Sequence, residues 1–259
     1  MKRTIASLKT LLPRLAIAAF TLVCLVAFTY VLLALARGDG WTDALQRTAQ
    51  ETPRYFQRLA TGDLGLTEAG SLTRAPVAVW PTVQEALPKS LVLLGASLFF
   101  AVLIGVPLGM ITARWQNGPG ALLGMLLSLI GISIPSFFAI ILLQRFVLRW
   151  QDITGDLLVP VGGFGWDSHI ILPALVLAAR PIAQIARVSA LSLQDIQGKD
   201  FISMARTKGL SEPLIFVRHT LRNALIPILT TVGISLRFSL SSLPVVEIFF
   251  GWNGAGALL

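Results

Sequence analysis

The sequence predicts an all-α integral membrane protein, a bundle of about five transmembrane helices with a short helix outside the bilayer. Three observations predict it. Of the 259 residues, 54% are hydrophobic and only 13% charged, against about 25% charged in soluble domains, and the mean hydropathy is +0.75. A soluble fold could not cover that much apolar surface, so lipid must act as part of the solvent. Five apolar stretches, at about 15–36, 90–112, 120–144, 170–193 and 223–250, are long enough to cross a bilayer core, which takes about 20 residues. Polar segments between them hold nearly all the charge.

The first stretch follows a basic start carrying Lys2, Arg3, Lys9 and Arg14 and no acid. Leu15 to Ala36 gives 22 uncharged residues, beyond the about 7–15 of a signal-peptide core. It reads as an uncleaved first span with its N-terminus inside. Residues 37–89 form a long outer loop of mixed charge, helical around Thr42 to Ala60. The second span runs inward and ends in a tight turn, Arg114 to Pro119. The third holds Ser133, Pro135 and Ser136, a sequence that can kink it.

Spans four and five are poorer. The fourth contains Pro173, Arg180, Pro181, Gln184 and Arg187, and the fifth Pro227, Arg237, Pro244 and Glu247. Breakers and polar groups at membrane depth need neighbouring protein or a water-filled cavity. These two spans are expected to face the bundle interior, and spans one to three the lipid. Charge placement supports this topology. Eleven basic residues stand against three acids on the inner side, and eight against nine on the outer. The excess fits the positive-inside rule.

A net charge of +8 therefore points to lipid contact and not to nucleic acid, since no basic run is interleaved with aromatics. Cys24 is a lone thiol, and His169 and His219 lack metal-ligand spacing. Gly198-Lys199 is followed by Asp200 and lacks the phosphate-loop pattern, so the chain is not expected to hydrolyse ATP or to bind a cofactor. No nucleophile–base arrangement suggests an enzyme.

Residues 194–222 are too polar to span. Asp200 to Lys208 is a short helical pattern with Phe201, Met204 and Ala205 on one side. Gly209 stands where a helix end takes a left-handed residue. Ser211, with Glu212 and Pro213 after it, can N-cap a second helix leading into span five. From these residues alone, an amphipathic loop on the membrane surface is an equal reading.

The run Asp200-Phe201-Ile202-Ser203-Met204-Ala205-Arg206-Thr207-Lys208-Gly209-Leu210-Ser211-Glu212, followed by Arg218-His219-Thr220-Leu221-Arg222-Asn223-Ala224-Leu225-Ile226-Pro227, resembles the coupling loop of binding-protein-dependent ATP-binding-cassette (ABC) permeases of the dipeptide/oligopeptide branch. Further matches follow the family's order: Gly62-Asp63-Leu64-Gly65, Pro76-Val77, Leu87 to Leu91, Gly105 to Gly109, Ser133 to Phe137, Ile171 to Ala174, and Glu247 to Gly256. The resemblance covers about residues 60–259, within one transmembrane domain taken to span 1–259. It implies an importer in a prokaryotic inner membrane. A second, homologous permease subunit, two ATP-binding subunits that use the ATP, and an extracytoplasmic solute-binding protein would complete it. It assigns ATPase coupling to Asp200, Phe201, Ala205, Arg206, Lys208, Gly209 and Leu210. Arg206 and Lys208 could equally anchor lipid headgroups.

Polar groups and breakers within the spans suggest a translocation path, with Ser133, Pro135, Arg180, Arg237 and Glu247 as candidates. For Arg180 and Arg237 two readings stand. They contact substrate carboxylates, or they pair structurally with Glu247 or with a partner-subunit residue. The chain departs from the family at Asn253, where Pro is common, and at Ala190, Arg180, Arg237 and Pro244. The family continues past the Gly-Trp-Asn-Gly motif through a sixth span, so truncation is expected. The rival is a secondary transporter or channel working without an ATPase. That class often shows inverted repeats and intramembrane acids. No repeat is visible here, and Glu247 is the only acid within the spans.

Overall fold

A computed structural model of the chain describes residues 2–66, 77–114 and 118–258. Pro76 of one family match, and Trp115 to Asn117 of the turn expected after span two, lie outside the described residues. The chain divides into two compact units, Met1–Thr82 and Val83–Leu259.

In the first unit α1 (Lys2–Ala36) is followed by α2 (Trp41–Ala60), the helix expected inside the outer loop. Alanine and threonine (Ala44, Thr48, Thr52) form the buried stripe of α2. Tyr30 of α1 meets Tyr55 of α2 edge to face, centroids 6.5 Å apart. Arg47 pairs with Asp39 at 2.8 Å. Gly62-Asp63-Leu64-Gly65 makes a turn in which Asp63 accepts from the Gly65 N–H at 2.9 Å.

The second unit carries most of α3 (Val79–Arg114), then α4 (Pro119–Ser133), α5 (Ser136–Thr154), α6 (Ile171–Gln197), α7 (Asp200–Thr207), α8 (Glu212–Ile215) and α9 (Arg222–Phe250). Among the described residues four helices, α1, α3, α6 and the α8–α9 run, are long and apolar enough to cross a membrane, and five spans result if the bent α4–α5 pair counts as one. The single third span expected at 120–144 is therefore two helices, which meet at 109°. Proline accounts for the break. Pro135 has no N–H to continue α4, and its ring confines Ile134 to extended backbone, observed at φ −68°, ψ 122°.

Helix α6 is the centre of the unit. Leu172, Leu177, Ile185 and Leu193 are each 3% exposed or less. Small residues set the spacing of its neighbours, as expected where lipid supplies no drive for helix association and close backbone approach does. A Cβ on Gly109 of α3 would lie 2.6 Å from the Ala186 carbonyl oxygen, and one on Gly105 3.0 Å from that of Ile182. Ser235 of α9 donates to Gln184 Oε1 at 3.1 Å, and Ser239 to the Leu177 carbonyl at 3.4 Å.

The expectation that spans four and five face inward holds for only one of them. The most apolar stretch of α6 is 56% buried, that of α9 only 22%, below the 28% of α3. The polar groups of α9 divide: Ser235, Ser239 and Glu247 are buried, while Arg237 is exposed. Thr230 and Thr231 donate to the Ile226 and Pro227 carbonyls of the preceding turn.

Candidate functional site: the α7–α8 turn and the α4–α5 cavity

The turn between α7 and α8 is built by backbone chemistry. Helix α7 starts at Asp200, whose carboxylate favours the positive helix end. It stops because Gly209 takes φ +78°, a left-handed conformation that costs an L-residue about 1–2 kcal/mol. The Gly209 N–H donates to the Arg206 carbonyl at 2.9 Å and the Leu210 N–H to that of Ala205 at 3.3 Å, the pair of bonds that closes a Schellman end. Ser211 then precedes α8 with extended backbone, but its hydroxyl makes no capping bond. The expected N-cap is positional only. Arg206 clamps the turn, donating from Nε to Glu212 Oε1 at 2.7 Å and from Nη2 to Oε2 at 3.3 Å. The Glu212 carboxylate raises the Arg206 pKa further above its ordinary value. From α8 the chain runs through a π-turn, Phe216–Leu221, directly into α9.

The faces of α7 differ from expectation. Phe201, Met204 and Ala205 do not act together. Ile202 is fully buried and Ala205 6% exposed, whereas Phe201 is 44% and Met204 57% exposed. Leu210 lies exposed just beyond the turn, as does Lys208. The turn thus presents apolar side chains outward on a helix anchored from behind by Ile202 and Ala205.

The α4–α5 break opens a cavity of about 260 Å³. It brings Ser133, Pro135 and Arg180 together, with Ser136 and with Phe238 and Ser242 of α9. The Arg180 guanidinium lies 4.0 Å from the centroid of the Phe238 ring, and that of Arg237 lies 5.2 Å from the same ring. Sequence reading missed Phe238 and Ser242. Ser235, Ser239 and Ser242 recur at helical spacing and mark one face of α9, but no local signal joins residues 180 and 238.

Glu247 is elsewhere. It is fully buried and accepts from Ser90 Oγ at 2.5 Å and from the Ala257 N–H at 2.9 Å. Ser90 in turn accepts from the Ala255 N–H at 2.7 Å. Trp252, also fully buried, donates from its indole to the Lys89 carbonyl at 3.3 Å and packs on Phe164, centroids 4.8 Å apart. The last turn of α9 and the loop that follows it to Gly256 are thus tied to the start of span two. Pairing of Glu247 with either arginine is absent among the described residues.

The family described as binding-protein-dependent transport system inner membrane component matches residues 105–259. The chain is 36% identical over 208 residues to the glutathione transport system permease protein GsiC of Escherichia coli strain K12, covering 79% of the chain and 64% of that protein. It is 36% identical over 209 residues to the protein of the same name from Salmonella paratyphi A, covering 80% and 64%. For that of Shigella flexneri serotype 5b it is 35% over 205 residues, covering 79% and 64%. The chain thus spans 64% of the length of these curated relatives. With more than half its residues matched, the chain belongs to the family of inner membrane components of binding-protein-dependent transport systems.

Proposed function

We propose that this chain is the permease subunit of an ATP-binding-cassette importer for peptide-class solutes. It lines the path through the inner membrane beside a second, homologous permease subunit. A solute-binding protein delivers the solute outside, and two ATP-binding subunits engage the coupling turn inside, where the N-terminus also lies. The peptide class is supported by the glutathione transport permeases that the chain resembles.

The observation that carries the reading is the exposed apolar face of α7. Phe201 and Met204 stand outward while Ile202 and Ala205 fix the helix from behind. A membrane-surface linker needs no such rigid mount. Docking of α7 into an ATPase groove uses it, and the Arg206–Glu212 clamp with the unbroken α8–α9 run carries the displacement into the membrane. Asp200, Lys208, Gly209 and Leu210 shape the docking element. Arg206 holds the turn, whether or not it also meets the partner.

The test is ATP hydrolysis by the reconstituted complex, stimulated by loaded binding protein, wild type against Gly209→Val. A β-branched residue resists φ +78°, so α7 should tilt and stimulation should disappear while membrane insertion survives. Equal stimulation in both would leave the turn a passive linker.

A further inference from the structure

Arginine at membrane depth is costly, about 2.5–3.5 kcal/mol even on the mildest scales, and is retained where water or an anion meets it. Arg180 is the tenth residue of α6 and Arg237 the sixteenth of α9, about 14 and 22 Å along their helices. Both rest against the ring of Phe238, so two like charges are neighbours. Among the described residues neither arginine makes an ion pair. Glu247, the acid within the spans, is held by Ser90 and the Ala257 N–H. A ring face satisfies part of a guanidinium but leaves its N–H donors free.

Arg180 lines the cavity together with Ser133, Ser136 and Ser242. The C-terminal end of α4 and the N-terminal end of α5 meet at the same place. Their dipoles offset one another, so the sign of the local field is set by the guanidiniums. A space of about 260 Å³ is small for a whole peptide, since ligand pockets run from about 300 Å³ upward. It suits one anionic group and its first atoms.

We propose that Arg180 and Arg237, braced on Phe238 beside the cavity at the α4–α5 break, form an anion-recognising station that receives the carboxylate of the solute in transit. The inference rests on the permease reading above. It adds that the path selects for a free carboxylate, which the serine hydroxyls and the Arg180 fork bind in passing.

The cavity's charge is testable without transport. In the assembled complex carrying Cys24→Ser and Ser242→Cys, the rates of modification by an anionic and a cationic methanethiosulfonate reagent are compared. The reference is a cysteine placed at the exposed Ile153. The anionic reagent should be favoured at position 242 by about tenfold over the reference. Arg180→Gln should remove most of that preference and Arg180→Lys should keep it. A ratio equal to the reference, or one unchanged by Arg180→Gln, overturns the station.

Uptake then ties the charge to the solute. With ATPase stimulation by loaded binding protein retained, Arg180→Gln should slow uptake of a free-carboxylate tripeptide several-fold more than uptake of its C-terminal amide. Equal slowing of both overturns the proposal. Loss of assembly in Arg180→Gln, together with no anionic preference in the Ser242→Cys protein that keeps Arg180, would assign the arginine to an acid of the partner permease and also overturn it. Failure of wild-type uptake with the labelling preference intact would instead strike the permease reading.

Discussion

Ser90→Ala should destabilise the second unit strongly, although it removes one oxygen atom. The Ser90 hydroxyl donates to Glu247 Oε1 at 2.5 Å and accepts from the Ala255 N–H at 2.7 Å. Ser90 is 2% exposed and Glu247 fully buried, so water cannot replace either bond. A buried donor or acceptor left unsatisfied costs about 1–3 kcal/mol, and the variant leaves two, one at Glu247 and one at the Ala255 N–H. The sum is about 3 kcal/mol. For a chain of this size each kcal/mol moves the midpoint by about 2–4 °C, so detergent-solubilised protein should melt at least about 6 °C lower. Glu247→Gln should also destabilise, because its amide N–H₂ must face one of two donors. In the double variant that N–H₂ can turn to the side Ser90 has vacated, while its oxygen still accepts from Ala257. The two losses should therefore be sub-additive by about 1 kcal/mol or more. A Ser90→Ala midpoint within 1 °C of wild type, or strictly additive losses, would refute the reasoning.

Other perturbations separate packing from docking. Gly109→Ala should force α3 away from α6, since the new Cβ would stand 2.6 Å from the Ala186 carbonyl. The expected cost is about 1–3 kcal/mol, read as a lower melting temperature, and an unchanged one would deny the close crossing. Phe201→Ser with Met204→Ser should leave the melting temperature within about 1–2 °C, because both side chains are exposed. The same pair should lower ATPase co-purification at least tenfold, and full retention would remove these residues from the interface. Cysteines placed in α2 should react with impermeant reagent from outside, and one at Lys199 only from inside. The reverse pattern would invert the proposed orientation.

Much of this was legible in the sequence for definite physical reasons. The stop at Gly209 could be read because a left-handed helix end selects glycine, and φ is +78° there. The proline break could be read too, but not its size. A kink and a 109° turn both begin with one missing N–H, and what packs against the two halves decides between them. The covered face of α7 was misjudged because Phe201, Met204 and Ala205 lie on one side by helical spacing. Spacing finds an apolar stripe but cannot say which part the same chain covers and which stays open for a partner. Ile202, one step round the helix, is the residue that anchors it. The Glu247–Ser90 bond joins residues 157 apart, and Arg180 meets Phe238 across the α6–α9 contact. Both pairings depend on tertiary register that no local pattern encodes.

The central claim is that this chain moves solute only when coupled through α7 to a separate ATPase. Uptake into proteoliposomes of the labelled solute that the cognate binding protein carries tests it most directly. The wild-type permease pair is reconstituted with and without its ATP-binding subunits, and loaded binding protein is supplied outside the vesicle face it serves. The account predicts uptake that requires ATP, the ATPase and the binding protein together, and that Gly209→Val abolishes. Uptake by the permease pair alone, driven by an ion gradient and indifferent to ATP, would contradict it.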